Sequence, residues 1–245
     1  MTREDRLHRR GAAARLADSS DTRIAFLFDL DGTLVDSVYQ HVLSWHEALT
    51  AAGVPMSIWR IHRRIGMSGG LFTDALLREM GRAITPKVAD SLRDAHAKSF
   101  RRRIKTVQPL PGVKELLAAL DEMAVPWAVA TSGRMPTAAP LLDLLAIDRR
   151  RIPIVTRDQV RHAKPDPDLF LAAAERLGVP ITDAIVVGDS IWDMLAARRA
   201  HALGVGLLSG GYGEDELARA GAYRVYQDPA DLLAHLDEVG LRQSG

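Results

Sequence analysis

The sequence predicts an α/β fold: a parallel sheet with helices on both faces, carrying a small all-helical unit inserted after the first strand. Three observations lead there. The short apolar runs Ile24–Phe28, Trp127–Ala130 and Ala184–Val187 each give way to polar residues, at Asp29, Thr131 and Gly188-Asp189. From Leu110 onward such runs alternate with amphipathic helical patterns, the alternation that builds a parallel sheet buried on both faces. Between Asp36 and Leu110 no strand pattern occurs, and about seventy residues of helical character are too many for an ordinary crossover.

Residues 1–22 mix Arg, Glu, Asp, Ala and Ser without a sustained apolar face and are expected to form a poorly ordered tail; Glu4 and Asp5 interrupt any basic run there. Core segments are expected at 23–36 and 108–245, with the helical insertion at 37–107. Ser37 is the expected cap of the first helix, because Val38, Val42, Trp45 and Leu49 recur at helical spacing before Gly53-Val54-Pro55 stops it. Helical pattern continues through Trp59, Ile61 and Ile65, then Leu71, Ala75 and Leu76, then Val88 to Phe100. Val113, Leu116, Leu117 and Leu120 mark an amphipathic helix ahead of the strand at Trp127. A helix from about Pro136 to Leu145 precedes a short strand at Ile152–Val155, and Asp166-Pro167 opens a helix that ends near Gly178. After the strand at Ala184, a helix spans about Ile191 to Arg199, a short strand lies near Val205, and Tyr223–Tyr226 is expected to add one more strand before the terminal helix.

Bulk properties narrow the function classes. A length of 245 residues fits a core domain with a smaller inserted one, and 47% apolar content supplies a core. The formal net charge of +1 argues against a nucleic-acid partner. The absence of Cys removes disulfides, thiolate metal sites and cysteine nucleophiles, and makes a cytoplasmic location the simplest expectation. No stretch approaches the roughly 20 apolar residues that a membrane span needs, so no membrane partner is expected.

The chemistry concentrates where the first strand ends. A strand period of two puts Asp29 and Asp31 on one side, and like charges that close require a hard cation, a shared proton, or split pKa values with different roles. Gly32 permits a sharp turn and Thr33 offers a hydroxyl and an amide, a pairing suited to an anion held beside a metal. In a parallel sheet ligands sit beyond the carboxyl ends of the strands, where Asp29, Thr131 and Asp189 converge.

The run Asp29-Leu30-Asp31-Gly32-Thr33-Leu34-Val35-Asp36-Ser37 resembles the first motif of the haloacid dehalogenase superfamily of phosphohydrolases. Thr131-Ser132-Gly133, Lys164 in Ala163-Lys164-Pro165-Asp166-Pro167, and Gly188-Asp189-Ser190-Ile191-Trp192-Asp193 follow in the order of its second, third and fourth motifs. The resemblance spans about Ile24 to Glu238, and the insertion is similar to the helical cap of the phosphoglycolate phosphatase and β-phosphoglucomutase branch. It implies a Rossmann-like core and a Mg²⁺-dependent phosphatase acting on a small phosphorylated metabolite. It further implies Asp29 as nucleophile and Asp31 as general acid and then base, with Thr131, Ser132 and Gly133 holding phosphoryl oxygens beside Gly32 and Thr33. Lys164 would offset negative charge, and Asp29, the backbone carbonyl of Asp31, and Asp189 would hold the metal. Asp193 would orient the site or a metal-bound water; alternatively it is a carboxylate favoured at a helix N-terminus.

Beyond the motifs, the basic, Gly-rich segment Arg60–Gly70 reads either as a substrate loop, with Arg64 contacting a carboxylate or hydroxyls, or as a solvated helix end and linker. Arg134 reads as a phosphate contact or as surface. His41, His46, His62 and His162 show no metal-ligand spacing and are expected at the surface or in partly buried structural roles. Two alternatives stand beside hydrolysis: phosphotransfer like that of β-phosphoglucomutase, disfavoured by Gly188 where that enzyme is expected to carry Glu, and a non-catalytic binding protein on the same fold. A monomer or a homodimer fits either.

Overall fold

The computed structural model describes residues 24–67, 69–79 and 85–241. The tail expected at 1–22 and Ser68 of the basic segment lie outside the described residues. Six strands, β1 (Ala25–Phe28), β2 (Trp127–Thr131), β3 (Ile154–Thr156), β4 (Ala184–Gly188), β5 (Leu203–Leu207) and β6 (Ala222–Tyr226), form one sheet in the order β3-β2-β1-β4-β5-β6. All neighbours are parallel, as the alternation of strand and helix patterns requires. The central strands β1, β2 and β4 are buried throughout, which explains why they are written almost wholly in apolar residues.

The strand period distributes these residues between two cores. Phe26 and Phe28 pack with Leu116 and Leu120 of α5 (Val113–Glu122), Leu141 of α6 (Met135–Leu144) and Leu232 of α10 (Pro229–Ala234). Leu27, between them in sequence, joins the opposite cluster with Phe170 of α7 (Asp168–Leu177) and Ala196 of α8 (Ile191–Ala200). Each large side chain fully buried this way contributes about 1.5–3 kcal/mol relative to exposure. The sheet centre is therefore the rigid support for whatever projects from its strand ends.

Between Ser37 and Val107 the described residues form only helices: α1 (Val38–Ala51), α2 (Ile58–His62), α3 (Gly69–Glu79), α4 (Pro86–Arg103) and a short 3₁₀ turn. They share a small core of Val38, Val42, Trp45, Leu49, Ile61, Phe72 and Leu92. The chain enters and leaves this unit at one place. Asp36 N–H donates to Gln108 O at 2.9 Å, and Leu110 N–H donates to Leu34 O at 3.1 Å.

Several elements differ in detail from expectation. Ser37 precedes α1 but makes no side-chain cap, because its hydroxyl is committed to Asp31. The helix expected to open at Asp166 starts two residues later; the Asp166 carboxylate pairs with Arg199 at 3.3 Å, while Asp168 accepts from His162 N–H at 3.0 Å. Gly69 and Gly70 belong to α3 and do not form a free linker. A further helix, α9 (Glu214–Ala220), follows β5; it went unexpected because its apolar face amounts to little more than Leu217 and Ala220. No helix of the described residues is long and apolar enough to cross a membrane.

Candidate active site

The carboxyl ends of β1, β2 and β4 and the loop after β3 converge on one cluster. Asp29 extends β1 by one hydrogen bond, its N–H donating to Val187 O at 2.9 Å, and the residue is 3% exposed. Lys164 has no exposed surface; its Nζ hydrogen-bonds Asp29 Oδ1, lies 2.7 Å from Asp193 Oδ1, and sits 4.9 Å above the Phe170 ring. Asp193 also accepts through Oδ2 from Ser190 N–H at 3.1 Å and Ser190 Oγ at 2.5 Å, an arrangement that ties it to the first turn of α8. Asp189 accepts from the buried Thr33 hydroxyl at 2.9 Å.

Two glycines make room for Asp189. Gly32 has φ +84°, and a Cβ there would fall 2.4 Å from Asp189 Oδ2. A Cβ on Gly210 would fall 1.9 Å from the same oxygen. Backbone approaches of this kind exclude any side chain.

Charge in this cluster does not balance. Asp29, Asp189 and Asp193 can each direct a carboxylate oxygen to a region where all three lie within 4.8 Å of one another, and only Lys164 among the described residues pairs with any of them at ion-pair distance. Burial pushes the Asp29 carboxyl up to about 7, with repulsion from Asp193 and Asp31 adding to it and Lys164 opposing. Burial likewise drives Asp189 well above the carboxylate range, reinforced by Asp193 and Asp29. For Lys164, burial alone would lower the pKa, but Asp193 and Asp29 outweigh it and hold the ammonium more firmly charged. An all-oxygen donor set with surplus negative charge suits a hard divalent cation.

Asp31 occupies a different environment. It opens onto a cavity of about 570 Å³ between the strand ends and the helical unit, lined also by Asp29, Thr131, Ser132, Gly133 and, from the helices, His41, Trp45, Arg64, Phe72 and His96. Asp31 Oδ1 accepts from Ser37 Oγ at 2.5 Å and meets His41 Nε2 at 3.0 Å. Burial would raise its pKa, but His41, Ser37 and Lys164 together more than offset this and hold the carboxyl below its ordinary range. Thus two carboxylates two residues apart lie in different environments, Asp29 dominated by burial and Asp31 by the hydrogen bonds and charges of its neighbours.

Other expected site residues fall in distinct places. Thr131 and Ser132 line the cavity, and the Ser132 hydroxyl is buried with no hydrogen-bond partner among the described residues. Gly133 N–H donates to Thr131 Oγ1 at 2.9 Å. The Thr33 hydroxyl is turned away from the cavity onto Asp189, so its contribution is to hold that carboxylate. Arg64 borders the cavity and donates to Arg60 O at 2.7 Å; Arg134 borders it too, largely exposed, with Asp158 at 3.7 Å.

The sequence reading missed His41. It is 9% exposed, stacked on Phe100 at 3.8 Å between ring centroids, and faces Asp31. A signal was present: Ser37 and His41 lie one helical turn apart, so a helix that presents one to Asp31 presents both. His62 is structural in another way, its Nε2 meeting Gly210 O at 2.8 Å, with Arg63 paired to Glu216 and Tyr212 OH donating to Arg63 O at 2.9 Å. These contacts seat the end of α2 on the loop after β5.

The family model described as haloacid dehalogenase-like hydrolase matches residues 25–201. A phosphoglycolate phosphatase of Agrobacterium fabrum is 31% identical over 186 residues, covering 75% of this chain and 80% of that protein. An N-acetylmuramic acid 6-phosphate phosphatase of Pseudomonas aeruginosa is 28% identical over 220 residues, covering 88% and 95% respectively. The crystal structure of a hydrolase from Pseudomonas syringae superposes with a TM-score of 0.87 at 56% identity, covering 89% of this chain and all of that one.

Proposed function

Because this chain belongs to the haloacid dehalogenase-like hydrolases, we propose that it is a Mg²⁺-dependent phosphatase for a small phosphorylated metabolite of the phosphoglycolate or sugar-phosphate type. The observation that carries the reading is the pairing of Asp29, a buried carboxylate hydrogen-bonded to Lys164, with Asp31, a second carboxylate two residues on that opens onto the same cavity. Relatives named as phosphatases of phosphoglycolate and of a phosphorylated amino sugar acid support the substrate class.

In this mechanism an Asp29 oxygen attacks phosphorus, and the bond from phosphorus to the metabolite oxygen breaks. Asp31 gives a proton to that leaving oxygen and later takes one from the water that attacks the aspartyl-phosphate, which releases phosphate and restores Asp29. Lys164 lowers the cost of bringing an anionic nucleophile to an anionic ester. Thr131 and Ser132 supply hydroxyls for the phosphoryl oxygens, and Arg64 and Arg134, which border the same cavity, meet the remainder of the substrate. Asp29, Asp189 and the Asp31 carbonyl would hold Mg²⁺, with Asp193 in support, and when bound the ion neutralises phosphoryl charge.

Wild-type protein should release inorganic phosphate from members of a panel of phosphoglycolate, sugar phosphates and p-nitrophenyl phosphate with Mg²⁺, and not with EDTA. No release from any member would end the phosphatase reading. A second expectation concerns stability. The Asp29 pKa is raised in the folded state, so its contribution is fully present below its ordinary 3.8 and is lost as pH rises through about 7. A cation bound by these carboxylates compensates that loss, so the rise in Tm on adding Mg²⁺ should grow steadily from pH 5 to pH 8. An increment of equal size at both pH values would show that these groups do not hold the ion.

A further inference from the structure

His96 enters the site from α4, fifty-five residues beyond His41 in the chain, and it lines the cavity without touching Asp31. Its Nε2 lies 3.0 Å from His41 Nδ1, and its ring stacks on Trp45 at 4.3 Å and on His41 at 5.2 Å between centroids. His41 in turn places Nε2 3.0 Å from Asp31 Oδ1. Both nitrogens of His41 are therefore engaged, one by the carboxylate and one by His96. An imidazole held at one nitrogen only can swing about that contact; held at both, it keeps a single orientation.

This fixes the geometry of Asp31 itself. With Oδ1 engaged by Ser37 and His41, Oδ2 is the oxygen left for chemistry, and it lies 4.0 Å from where a Cβ on Gly133 would stand, beside the loop that follows β2. Burial and the neighbouring His41 drive the His96 pKa well below its ordinary value, so the ring is neutral and adds no charge to the cavity. The His96 ring stacks on Trp45 and Phe100, where an aromatic hydrocarbon would serve as well, and its bond to His41 is what a polar ring adds there.

We propose that His96 is a positioning residue for proton transfer: through the Asp31–His41–His96 chain it aims Asp31 Oδ2 at the leaving-group oxygen. The proposal rests on the reading of Asp31 as general acid. It predicts that losing His96 matters in proportion to how much the leaving group needs a proton. Phenyl phosphate and p-nitrophenyl phosphate nearly match in shape, but phenolate is the more basic leaving group and requires protonation, whereas p-nitrophenolate departs readily without it.

The test is kcat/KM for both esters with Mg²⁺ in wild type, His96→Phe, His96→Gln and Asp31→Asn. His96→Phe keeps a stacking ring and deletes the hydrogen bond; it should lower kcat/KM for phenyl phosphate about 10- to 100-fold and for p-nitrophenyl phosphate less than about 3-fold. His96→Gln, whose amide can still reach His41, should restore most of the phenyl phosphate activity. Equal losses on both esters with His96→Phe would overturn the proposal, because a merely structural or substrate-binding role does not distinguish leaving groups. Should the Phe variant not fold, His96→Asn, polar but one methylene too short, repeats the comparison against His96→Gln. Asp31→Asn separates the two levels of inference: if it also fails to discriminate between the esters, the general-acid reading of Asp31 falls; if it discriminates and His96→Phe does not, only the role of His96 falls. A wild type that turns over neither ester would overturn both.

Discussion

Asp29→Asn should lower kcat/KM for every substrate by about 10⁴-fold or more while leaving the fold intact. The amide matches the carboxylate in shape but is not a nucleophile, and loss of a covalent nucleophile is among the largest single effects known in enzymes. The fold should tolerate the change because Asp29 is one of three buried carboxylates that repel one another. Replacing it with a neutral group relieves part of that repulsion and leaves Lys164 paired with Asp193. Phosphate release and a thermal melt on the same preparation check both halves. A variant retaining a tenth of the activity would remove Asp29 from the role of nucleophile.

Lys164→Met should be costly to stability as well as to turnover. Lys164 has no exposed surface and contacts two carboxylates, so its removal leaves buried charge without compensation, for which losses of about 3–5 kcal/mol are typical. The direction with pH follows from its raised pKa: the contribution of Lys164 is fully present below 10.5 and is lost only as pH rises through the folded-state value, so the whole effect is available at neutral pH. Below about pH 4, where carboxylates protonate in the unfolded chain too, the difference between variant and wild type should shrink. Urea unfolding at pH 7.5 and at pH 4 measures it, and activity at pH 7.5 should fall about 100-fold or more. A variant as stable as wild type at pH 7.5 would mean that the carboxylates are neutralised by something other than this lysine.

Much of this site was legible from residue order alone. Asp29 and Asp31 could be read because two like charges that close at a strand end need a cation, a shared proton or different roles, and Thr131 and Asp189 followed because parallel strands deliver their carboxyl ends to one edge. What could not be read was the direction of side chains after a turn. Thr33 lies beside Gly32 and was expected at an anion, but the positive φ of Gly32 sends the chain round so that the Thr33 hydroxyl meets Asp189. Ser37 looked like a helix cap for sound local reasons, and tertiary placement of Asp31 overrode them. His41 and His96 belong to different helices of the insertion, and only the packing of α1 on α4 makes them a pair. Juxtapositions of that kind leave no trace in local periodicity.

In the proposed mechanism the phosphoryl group resides on Asp29 between two chemical steps. This is tested most directly by mixing enzyme, Mg²⁺ and substrate, quenching in acid during steady turnover, and locating phosphate on peptides by mass spectrometry. The account predicts a phosphoryl group on the peptide containing Asp29, at that residue, absent from Asp29→Asn and from enzyme held in EDTA. Continued turnover with no phosphorylated peptide, or with the phosphoryl group on another residue, would contradict it.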